Sequence, residues 1–559
     1  LISLPLTVVF TLIISLVLAL TFSPIMAKWV LRAQSINHKT LADRFFFWLS
    51  EKVYKPILDF CLRFGALVVL VAIVITASSI MLFPKIGVSF FPTADKALLL
   101  IDIRGPIGNN IDETEKAVNY VENLLDTIDI VTDYTSSSGN GIPQIFYNRI
   151  PGTRRKNQGQ ILAILKEWET RSFYTTIAQL RKDFTKFPGA RITVEELKNG
   201  APFSPFEIRI LGDDLDIQKR MAQEVEDVMR SIDGIINIDN PLSRNKTEIV
   251  VKLDKEKAGL LNVSQLDFDR IVRASLNGLQ IDDVTIGEDE YALVLRMPFT
   301  DQPNVEDFKK IYITNRQGAQ IPLSHIADVK FEGAPSVLRH FDLNRYARVI
   351  ASAVNLDETI PMTFTLIEKL DELEWPPGFA YEVGGEFEEQ QQTFGSLGII
   401  LGLAMIGIFA VLVLQFRSIL QPFIVFVAIL LAVSGSFVAL YLSGWPFSFF
   451  AFVGLISLMG IVVNNSIIMV DYMNQLMNDG LEKRNAIIKG SITRLKPILL
   501  TTLTTILGLL PLALQRTNQW SPLCMTIIGG MISSTILTLV VVPVIYNWLT
   551  KEKIAQDIN

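Results

Sequence analysis

The amino-acid sequence predicts an α-helical membrane bundle of seven transmembrane helices, with a large α+β domain outside the membrane. Half of the 559 residues are hydrophobic, 19% are charged, and the mean hydropathy is +0.36, whereas soluble domains carry about a quarter charged residues. The apolar residues gather in seven runs, each long enough to cross a bilayer at about 17–25 residues. This composition excludes a disordered protein and disfavours a soluble enzyme.

The charges around these runs give them an orientation. The runs cover residues 6–27, 64–83, 395–415, 419–442, 447–470, 498–514 and 522–548. Fifteen Lys and Arg residues lie on one side of the predicted membrane, whereas the short loops on the other side contain only Arg516. Because basic loops remain in the cytoplasm, we expect segment 84–394, here called the exterior domain, to lie outside it.

The exterior domain is acidic and shows no sign of a cofactor site. It carries 49 Asp and Glu against 35 Lys and Arg, and the rest of the chain carries 8 against 16. This balance argues against a nucleic-acid partner and favours cationic or amphiphilic partners. There is no P-loop motif, and His38, His325 and His340 lack ligand spacing, so we expect neither a cofactor nor a bound metal.

Segment 41–62, between the first two runs, mixes aromatic and charged residues. Its apolar positions recur at helical spacing, which predicts an amphipathic helix on the cytoplasmic membrane face and disfavours a plain linker.

A strand–helix–strand pattern occurs twice in the exterior domain. The first unit has predicted strands at 98–103, 128–136, 160–165 and 191–196 and helices at 110–125 and 175–187. The second unit has predicted strands at 206–211, 348–354 and 379–384 and helices at 215–230 and 359–374. Each pattern is typical of a split β-α-β unit. An insertion at 246–331 divides the second unit and has its own predicted strands at 248–253 and 291–297 and helix at 263–275.

Several motifs along the chain occur together in a known order. They are Phe90-Phe91-Pro92, VKLDKEKAG at 251–259, ASLNG at 274–278, IPLSHIA at 321–327, Gly384-Gly385-Glu386, QFRS at 415–418, GIVVNNSIIMVDY at 460–472, RLKPILLTTL at 494–503 and GGMISSTILTLVVVP at 529–543. Their joint order and spacing resemble the C-terminal half of a resistance–nodulation–division (RND) efflux transporter of the AcrB-like multidrug type. One of these motifs alone would be a weak signal.

The resemblance implies a division of the chain. Residues 1–83 correspond to transmembrane helices six and seven with the amphipathic helix, and residues 395–559 to helices eight to twelve with a short cytoplasmic tail. Residues 84–200 form one periplasmic pore subdomain, residues 201–245 and 332–394 form the second, and 246–331 forms an inserted docking subdomain. Because the chain begins with Leu1 rather than Met, we expect a fragment, a split gene or an incomplete reading frame.

The resemblance also implies an activity. The family's members are secondary transporters rather than enzymes, and they export drugs, amphiphiles or metal ions in exchange for protons. They act as homotrimers in the lipid bilayer of the inner membrane of Gram-negative bacteria, with a periplasmic adaptor protein and an outer-membrane channel. The expected substrates are small amphiphilic molecules.

Four polar residues fall at positions of the family's proton relay, in which an acidic pair on another helix is neutralised by a lysine. Asn464 falls where that lysine would be, Asn465 matches the adjacent asparagine, and Arg494 and Thr501 match their counterparts. An amide donates hydrogen bonds but cannot neutralise a carboxylate. The resemblance therefore leaves Arg494 as the countercharge, unless the acids titrate at a raised pKa. The alternative is that both asparagines only hold helices together, and back-bonding to the helix is the simpler interpretation for three of Thr501, Thr502, Thr504 and Thr505.

The loop at 136–147 (SSSGNGIPQIFY) matches, by resemblance, the loop that separates two substrate pockets in the family. Phe146 and Tyr147 are therefore expected to line a substrate pocket. A hairpin turn with two core aromatics is the alternative. Metal-exporting members carry an acidic residue near the position of Asn464, and none is present here, which favours drug export over metal export.

Three functions remain open from the sequence. The first is export of hydrophobic or amphiphilic compounds driven by the proton-motive force, which the intact Arg494–Thr501 pair and the full exterior domain favour. The second is export of metal ions or lipids by the same fold. The third is a non-transporting membrane scaffold, which Asn464 in place of a lysine slightly favours.

Overall fold

The computed structural model describes residues 3–30, 41–149, 154–168, 171–276, 278–298, 306–335 and 337–550. In these ranges seven helices are long and apolar enough to cross a membrane. In chain order we call them the first to seventh spans: Val9–Trp29, Gly65–Ile86, Glu386–Phe416, Leu420–Ser443, Phe449–Asn478, Lys483–Leu514 and Trp520–Leu549. All seven coincide with predicted apolar runs. The predicted cytoplasmic tail after residue 550 lies outside the described residues.

Two spans extend well beyond their apolar runs. The third span begins at Glu386, in the exterior domain, and its first turn carries three glutamates, which suit the positive end of the helix dipole. The sixth span begins at Lys483 and includes the basic segment that precedes the apolar run. Hydropathy marks the apolar part of a helix and not its polar ends, which explains both differences.

The fourth, fifth and seventh spans form the centre of the bundle. Between 50% and 61% of the apolar window of each is buried, against 0% for the first span, 11% for the second, 6% for the third and 17% for the sixth. The four peripheral spans therefore expose wide apolar faces that no described residue covers.

Glycines allow the fourth and seventh spans to approach each other closely. A Cβ on Gly529 would lie 2.2 Å from the Cβ of Ala439 and 2.6 Å from the carbonyl oxygen of Gly435. The backbone contact brings hydroxyls into reach, since Ser436 donates to the Thr526 carbonyl at 2.8 Å and Ser533 to a carbonyl of the fourth span at 2.9 Å. Small residues and interhelical hydrogen bonds are the usual basis of such packing in membranes.

The segment before the second span is helical, as predicted. It consists of an α-helix Leu41–Trp48, a π-helical turn Leu49–Tyr54 and an α-helix Lys55–Arg63. Tyr54 is buried and donates to the carbonyl of Leu539 at 2.7 Å. The segment therefore packs against the seventh span.

The first exterior unit is a four-stranded antiparallel sheet. Its strand order is Val131–Ser138, Gln158–Leu165, Leu98–Arg104 and Arg191–Glu196, and its helices are Ile111–Leu125 and Arg171–Phe184. Apolar residues of both helices and of the three strands other than Val131–Ser138 form one buried core. This is the split β-α-β arrangement that the sequence predicts.

The second exterior unit repeats this topology. Its strands lie in the order Ile235–Asp239, Asn344–Ala353, Phe206–Leu211 and Ala380–Gly384, with helices Leu215–Arg230 and Thr359–Asp371. The short strand Arg339–Phe341 extends the sheet beside Asn344–Ala353. The strand Ile235–Asp239 was not predicted, because its five residues alternate too weakly for a strand pattern.

The insertion has its own small core and its own strands. Asn245–Leu253 and Ala327–Pro335 pair antiparallel along nine residues. Between them lie the helices Lys255–Leu260, Gln265–Leu276 and Leu323–Ile326, the hairpin of Leu279–Ile286 and Asp289–Leu295, and the pair Tyr312–Thr314 and Gln320–Pro322.

Several contacts join the exterior domain to the spans, among them a strand pair and a hydrogen bond between backbone groups. The strand Val88–Ser89, after the second span, pairs in parallel with Phe447–Ser448, before the fifth span. At the start of the third span, Glu386 donates its N–H to the carbonyl of Ser204 at 3.0 Å. The preceding Gly385 has φ +71°, and a Cβ there would lie 2.5 Å from the same carbonyl, which explains a glycine at this position.

The crossing of the fourth and seventh spans generates a prediction. Gly529→Ala forces a methyl group against Ala439 and should lower the unfolding free energy by about 1–3 kcal/mol, the usual effect of overpacking. The measurement is thermal unfolding of the purified protein in detergent. Gly402→Ala is the matched control, because a Cβ on this glycine of the third span meets nothing within 4 Å. Equal melting temperatures of the two variants would contradict the prediction.

Candidate functional site

Polar side chains face outward from the middle of the fifth span. Asn464 is exposed and Asn465 is half-buried, and neither side chain forms a hydrogen bond with another described residue. Fifteen residues of helix precede Asn464 in this 30-residue span, so both amides lie near mid-membrane depth. An amide without a partner is costly in hydrocarbon, at roughly 4–8 kcal/mol for transfer from water to cyclohexane.

Arg494 lies on the sixth span beside the fifth. Its guanidinium carbon is 4.5 Å from the ring centroid of Tyr472, and its Nε is buried without a hydrogen-bond partner among the described residues. The fifth and sixth spans run antiparallel, because the fifth ends at Asn478 and the sixth begins at Lys483. At 1.5 Å per residue, the contact of Arg494 with Tyr472 places Thr501 level with Asn465.

The threonines of the sixth span divide into two groups. Thr501 donates to the carbonyl of Ile498 at 2.9 Å, and Thr504 and Thr505 likewise bond to carbonyls of their own helix. Thr502 instead contacts the Thr535 hydroxyl of the seventh span at 2.8 Å and is buried. Three of the four hydroxyls thus bond within their helix. The Thr501 hydroxyl already donates its hydrogen to the Ile498 carbonyl, so only its oxygen is left to accept a hydrogen bond.

Four polar residues of these two neighbouring spans are at least partly uncovered by the described residues, and we call them the open face: Asn464, Arg494, Thr501 and Thr504. Asn464, Thr501 and Thr504 are exposed and Arg494 is half-buried. Arg494 and Thr501 lie two turns apart on the same side of the sixth span, and no hydrogen bond joins the four side chains of the open face in the described part of the chain. The open face thus presents a guanidinium group, an amide and hydroxyls. The protein surface that would pack against these groups does not come from the described residues.

A charged cleft lies between the two exterior units. Its cavity of about 260 Å³ is lined by residues of both sheets. Among its charged side chains are Asp102, Arg104, Arg149, Arg191, Glu195, Lys198 and Asp239. Cations and carboxylates of the two units therefore face each other across this cleft.

Asp239 holds the two units together. Its buried carboxylate receives Arg104 at 3.3 Å and Arg191 at 3.1 Å from the first unit, and it also contacts Arg244. Arg104 and Arg191 pair across neighbouring strands, so one carboxylate offsets the repulsion between two adjacent guanidinium groups. Burial lowers the pKa of Arg191, and the charge of Arg104 lowers it further.

Burial also shifts the pKa of two other groups in the cleft. It raises the pKa of the Asp102 carboxyl, although a hydrogen bond from Gln160 at 2.8 Å opposes this effect. It lowers the pKa of the Lys198 amine, which is partly offset by Glu386 at 3.9 Å. Lys198 thus connects the cleft to the first turn of the third span.

The two aromatics predicted to line a substrate pocket lie beside the cleft. Phe146 packs against a small apolar cluster of the first unit, and its ring centroid is 4.9 Å from that of Tyr147. Tyr147 is 65% exposed, and its hydroxyl accepts a hydrogen bond from the Gly200 N–H at 2.6 Å. The neighbouring Asn148 and Arg149 line the cleft itself. A pocket role for Phe146 and Tyr147 stays a prediction.

Sequence reasoning missed the residues of the cleft. Arg104 and Arg191 lie at the ends of predicted strands, which is only a weak indication of a functional site. Their partner Asp239 belongs to a strand that was not predicted. Asn148 has a buried carbonyl oxygen without a hydrogen-bond partner in the described chain, a property that only the fold reveals. His325 and His340 lie in different parts of the exterior domain, and His38 lies outside the described residues.

The comparison with protein families agrees with this architecture. A model of the AcrB/AcrD/AcrF family matches residues 2–550. The chain belongs to the AcrB/AcrD/AcrF family. Members of this family are RND transporters, which are membrane proteins and secondary transporters rather than enzymes.

Relatives in this family carry different names. The chain is 26% identical over 551 residues to the swarming motility protein SwrC of Bacillus subtilis, covering 98% of this chain and 52% of the relative. It is 26% identical over 579 residues to the cobalt-zinc-cadmium resistance protein CzcA of Cupriavidus metallidurans, covering 99% and 53%. It is 27% identical over 550 residues to the multidrug resistance protein MdtC of Photorhabdus laumondii, covering 95% and 51%.

The fold is also found among solved structures. A crystal structure of a heavy metal efflux pump superposes with a TM-score of 0.73 at 20% sequence identity, covering 90% of this chain and 52% of that chain. At this identity the likeness shows the RND transporter fold alone. The chain spans about half the length of the relatives it matches.

The cluster around Asp239 generates a prediction. Asp239→Asn leaves three arginines without their carboxylate and should destabilise the joint between the exterior units by about 1–3 kcal/mol. This is below the 3–5 kcal/mol of a fully buried pair, because the arginine side chains are 31–47% exposed. The measurement is the rate of limited proteolysis in the exterior domain.

The matched control for Asp239→Asn is Asp328→Asn. Asp328 pairs with Lys330 at 3.4 Å, but both side chains are at least 66% exposed, so its loss should change stability by less than about 0.5 kcal/mol. Proteolysis of Asp239→Asn at the rate of the control would contradict a stabilising role for the cluster.

Proposed function

We propose that this chain forms part of an RND efflux pump that uses the proton-motive force to export hydrophobic or amphiphilic compounds. The observation that carries the proposal is the open face, where the Asn464 amide, near mid-membrane, has no hydrogen-bond partner among the described residues and Arg494, in contact with Tyr472, has a buried Nε without one. Polar groups in that environment are functional more often than structural.

The proposed coupling is electrostatic. Carboxylates supplied by the rest of the transporter would face Arg494, with Asn464 in the position of the family's relay lysine. A deprotonated pair would attract the guanidinium, and protonation would release it, because an unneutralised charge in a low-dielectric environment is strongly disfavoured. Asn464 donates a hydrogen bond but supplies no charge, so Arg494 carries the countercharge in this scheme.

A single helix that connects the exterior domain with the bundle supports this proposal. The third span runs without interruption from the exterior domain into the bundle. Its first turn is held by Arg209 through Glu388 at 2.8 Å and by Lys198 through Glu386 at 3.9 Å. A shift of this helix would therefore act on Lys198 and hence on the cleft, where we propose that substrates pass.

Organic substrates are proposed over metal ions. Metal-exporting members of the family carry an acidic residue near the position of Asn464, and this chain has none there. The described residues also contain no group of three or more His, Cys, Asp or Glu arranged to hold a metal. MdtC, by its name, serves multidrug resistance. Metal export is the second candidate, because CzcA and the matched crystal structure are named for metals.

The remaining assignments follow from membership of the family. We propose a homotrimer in the inner membrane of a Gram-negative bacterium, with the exterior domain in the periplasm. A periplasmic adaptor protein and an outer-membrane channel would complete the export path. A non-transporting scaffold, or lipid export, would be the conclusion if efflux failed.

The test is efflux of a fluorescent amphiphile from cells that carry the complete gene. A protonophore should stop efflux. Arg494→Ala should slow efflux about tenfold or more, because the proposed relay loses its countercharge. A tenfold change in rate corresponds to about 1.4 kcal/mol of activation free energy. Arg484→Ala is the matched control on the same helix, because Arg484 forms an exposed pair with Asp59 at 3.3 Å.

The outcomes separate the candidates. Efflux that persists in Arg494→Ala at the rate of Arg484→Ala would contradict the role of Arg494. Cells that export no dye but resist Zn²⁺ or Co²⁺ would favour metal export. Cells that export neither would favour the scaffold.

A further inference from the structure

A second cavity lies apart from the cleft, at the level where the spans meet the exterior domain. Its volume is about 270 Å³, and its lining includes Glu196, Tyr174, Leu356, Trp445 and Asn518. These residues come from both exterior units and from the loops before the fifth and seventh spans. The cavity therefore lies at the boundary between membrane and water, where tryptophan side chains concentrate.

Glu196 brings a carboxylate into this cavity without an ion pair. No basic side chain of the described residues lies within 4.0 Å of this carboxylate. The amine of Lys198, two residues further along the chain, pairs with Glu386 instead. Arg181 and Lys198 are the nearest basic groups that act on it. Burial raises the pKa of Glu196, and these two charges offset the effect only in part. A desolvated carboxylate in this state is stabilised by any cation that enters the cavity.

The other walls suit an organic cation rather than a metal ion. Trp445 and Tyr174 present aromatic rings, which attract ammonium groups by cation–π interaction, and Leu356 is apolar. The amide N–H and side chain of Asn518 are already used, because they donate to Asp95 and Thr93 at 2.9 Å. The volume is below the range of about 300–1,000 Å³ for drug-sized ligands, so the cavity fits a headgroup.

We propose that this cavity binds the cationic headgroup of an amphiphile, with Glu196 as the countercharge and Trp445 and Tyr174 as the ring contacts. The apolar tail then extends toward the membrane. Glu196 lies on the sheet face opposite to Glu195, which lines the cleft, because successive strand residues alternate. The proposal adds a binding site to the proposed function, and it rests on that function only for transport and not for binding.

The test is binding of octyltrimethylammonium to the full-length protein in nanodiscs of neutral phosphatidylcholine, measured by equilibrium dialysis with empty nanodiscs subtracted. Octyl sulfate is the anionic probe. Glu196→Gln should raise the Kd of the cation about tenfold, equivalent to about 1.4 kcal/mol. Glu115→Gln is the matched control, because Glu115 is an exposed residue of the helix Ile111–Leu125 in the same unit and lines neither cavity, and it should leave the Kd within about twofold.

A second variant keeps the test decisive if Glu196→Gln unfolds. Trp445→Leu should also weaken binding of the cation, because the ring is lost while an apolar wall remains. Equal Kd values for Glu196→Gln and Glu115→Gln, or equal affinity for octyl sulfate, would overturn the proposal. Binding that depends on Glu196 in a protein that exports no amphiphile would uphold this site and reject only the proposed function.

Discussion

The helices of this chain are organised by one constraint, which is that a polar group in hydrocarbon needs a partner or a protein surface. At the seam between the fourth and seventh spans the constraint is met within the chain. Gly435 and Gly529 let the backbones approach, and Ser436 then reaches a carbonyl of the other helix. On the open face of the fifth and sixth spans it is not met, because Asn464 and the Nε of Arg494 have no partner among the described residues. The seam explains stability, and the open face is where we propose function.

At the start of the third span the exterior domain is tied to the spans by ion pairs, beside an aromatic cluster that includes Phe90, Phe394 and Phe449. Arg209 contacts Glu207 and Glu388, and a Cβ on Gly384 would lie 2.9 Å from its guanidinium. This contact accounts for Gly384 in the motif Gly384-Gly385-Glu386, and the approach to the Ser204 carbonyl accounts for Gly385. The same helix continues through the bundle, so the ion pairs at its first turn connect cleft and membrane in the proposed mechanism.

The sequence predicts helices and sheets here because their patterns are local. Runs of about 20 apolar residues mark the spans, and strand–helix alternation marks both exterior units. The strand Ile235–Asp239 was not predicted, because its five residues show too weak an alternation of apolar and polar positions. Asp239 and Glu196 could not be recognised as site residues, since their importance depends on groups distant in the chain. The resemblance to a known family found Asn464, Arg494 and Thr501, but no pattern in the sequence shows that they share an open face.

The most direct test of this account asks what covers Asn464. A nitroxide attached at Asn464→Cys in the complete protein, with Cys61 and Cys524 replaced by alanine, is examined in a bilayer for collision with dissolved O₂. Leu430→Cys on the fourth span, where the side chain is 60% exposed, serves as the lipid-facing reference. The account predicts that the label at 464 is shielded from O₂ by protein and that the label at 430 is accessible. Equal accessibility at both positions would contradict it, because Asn464 would then face lipid and have no carboxylate to meet.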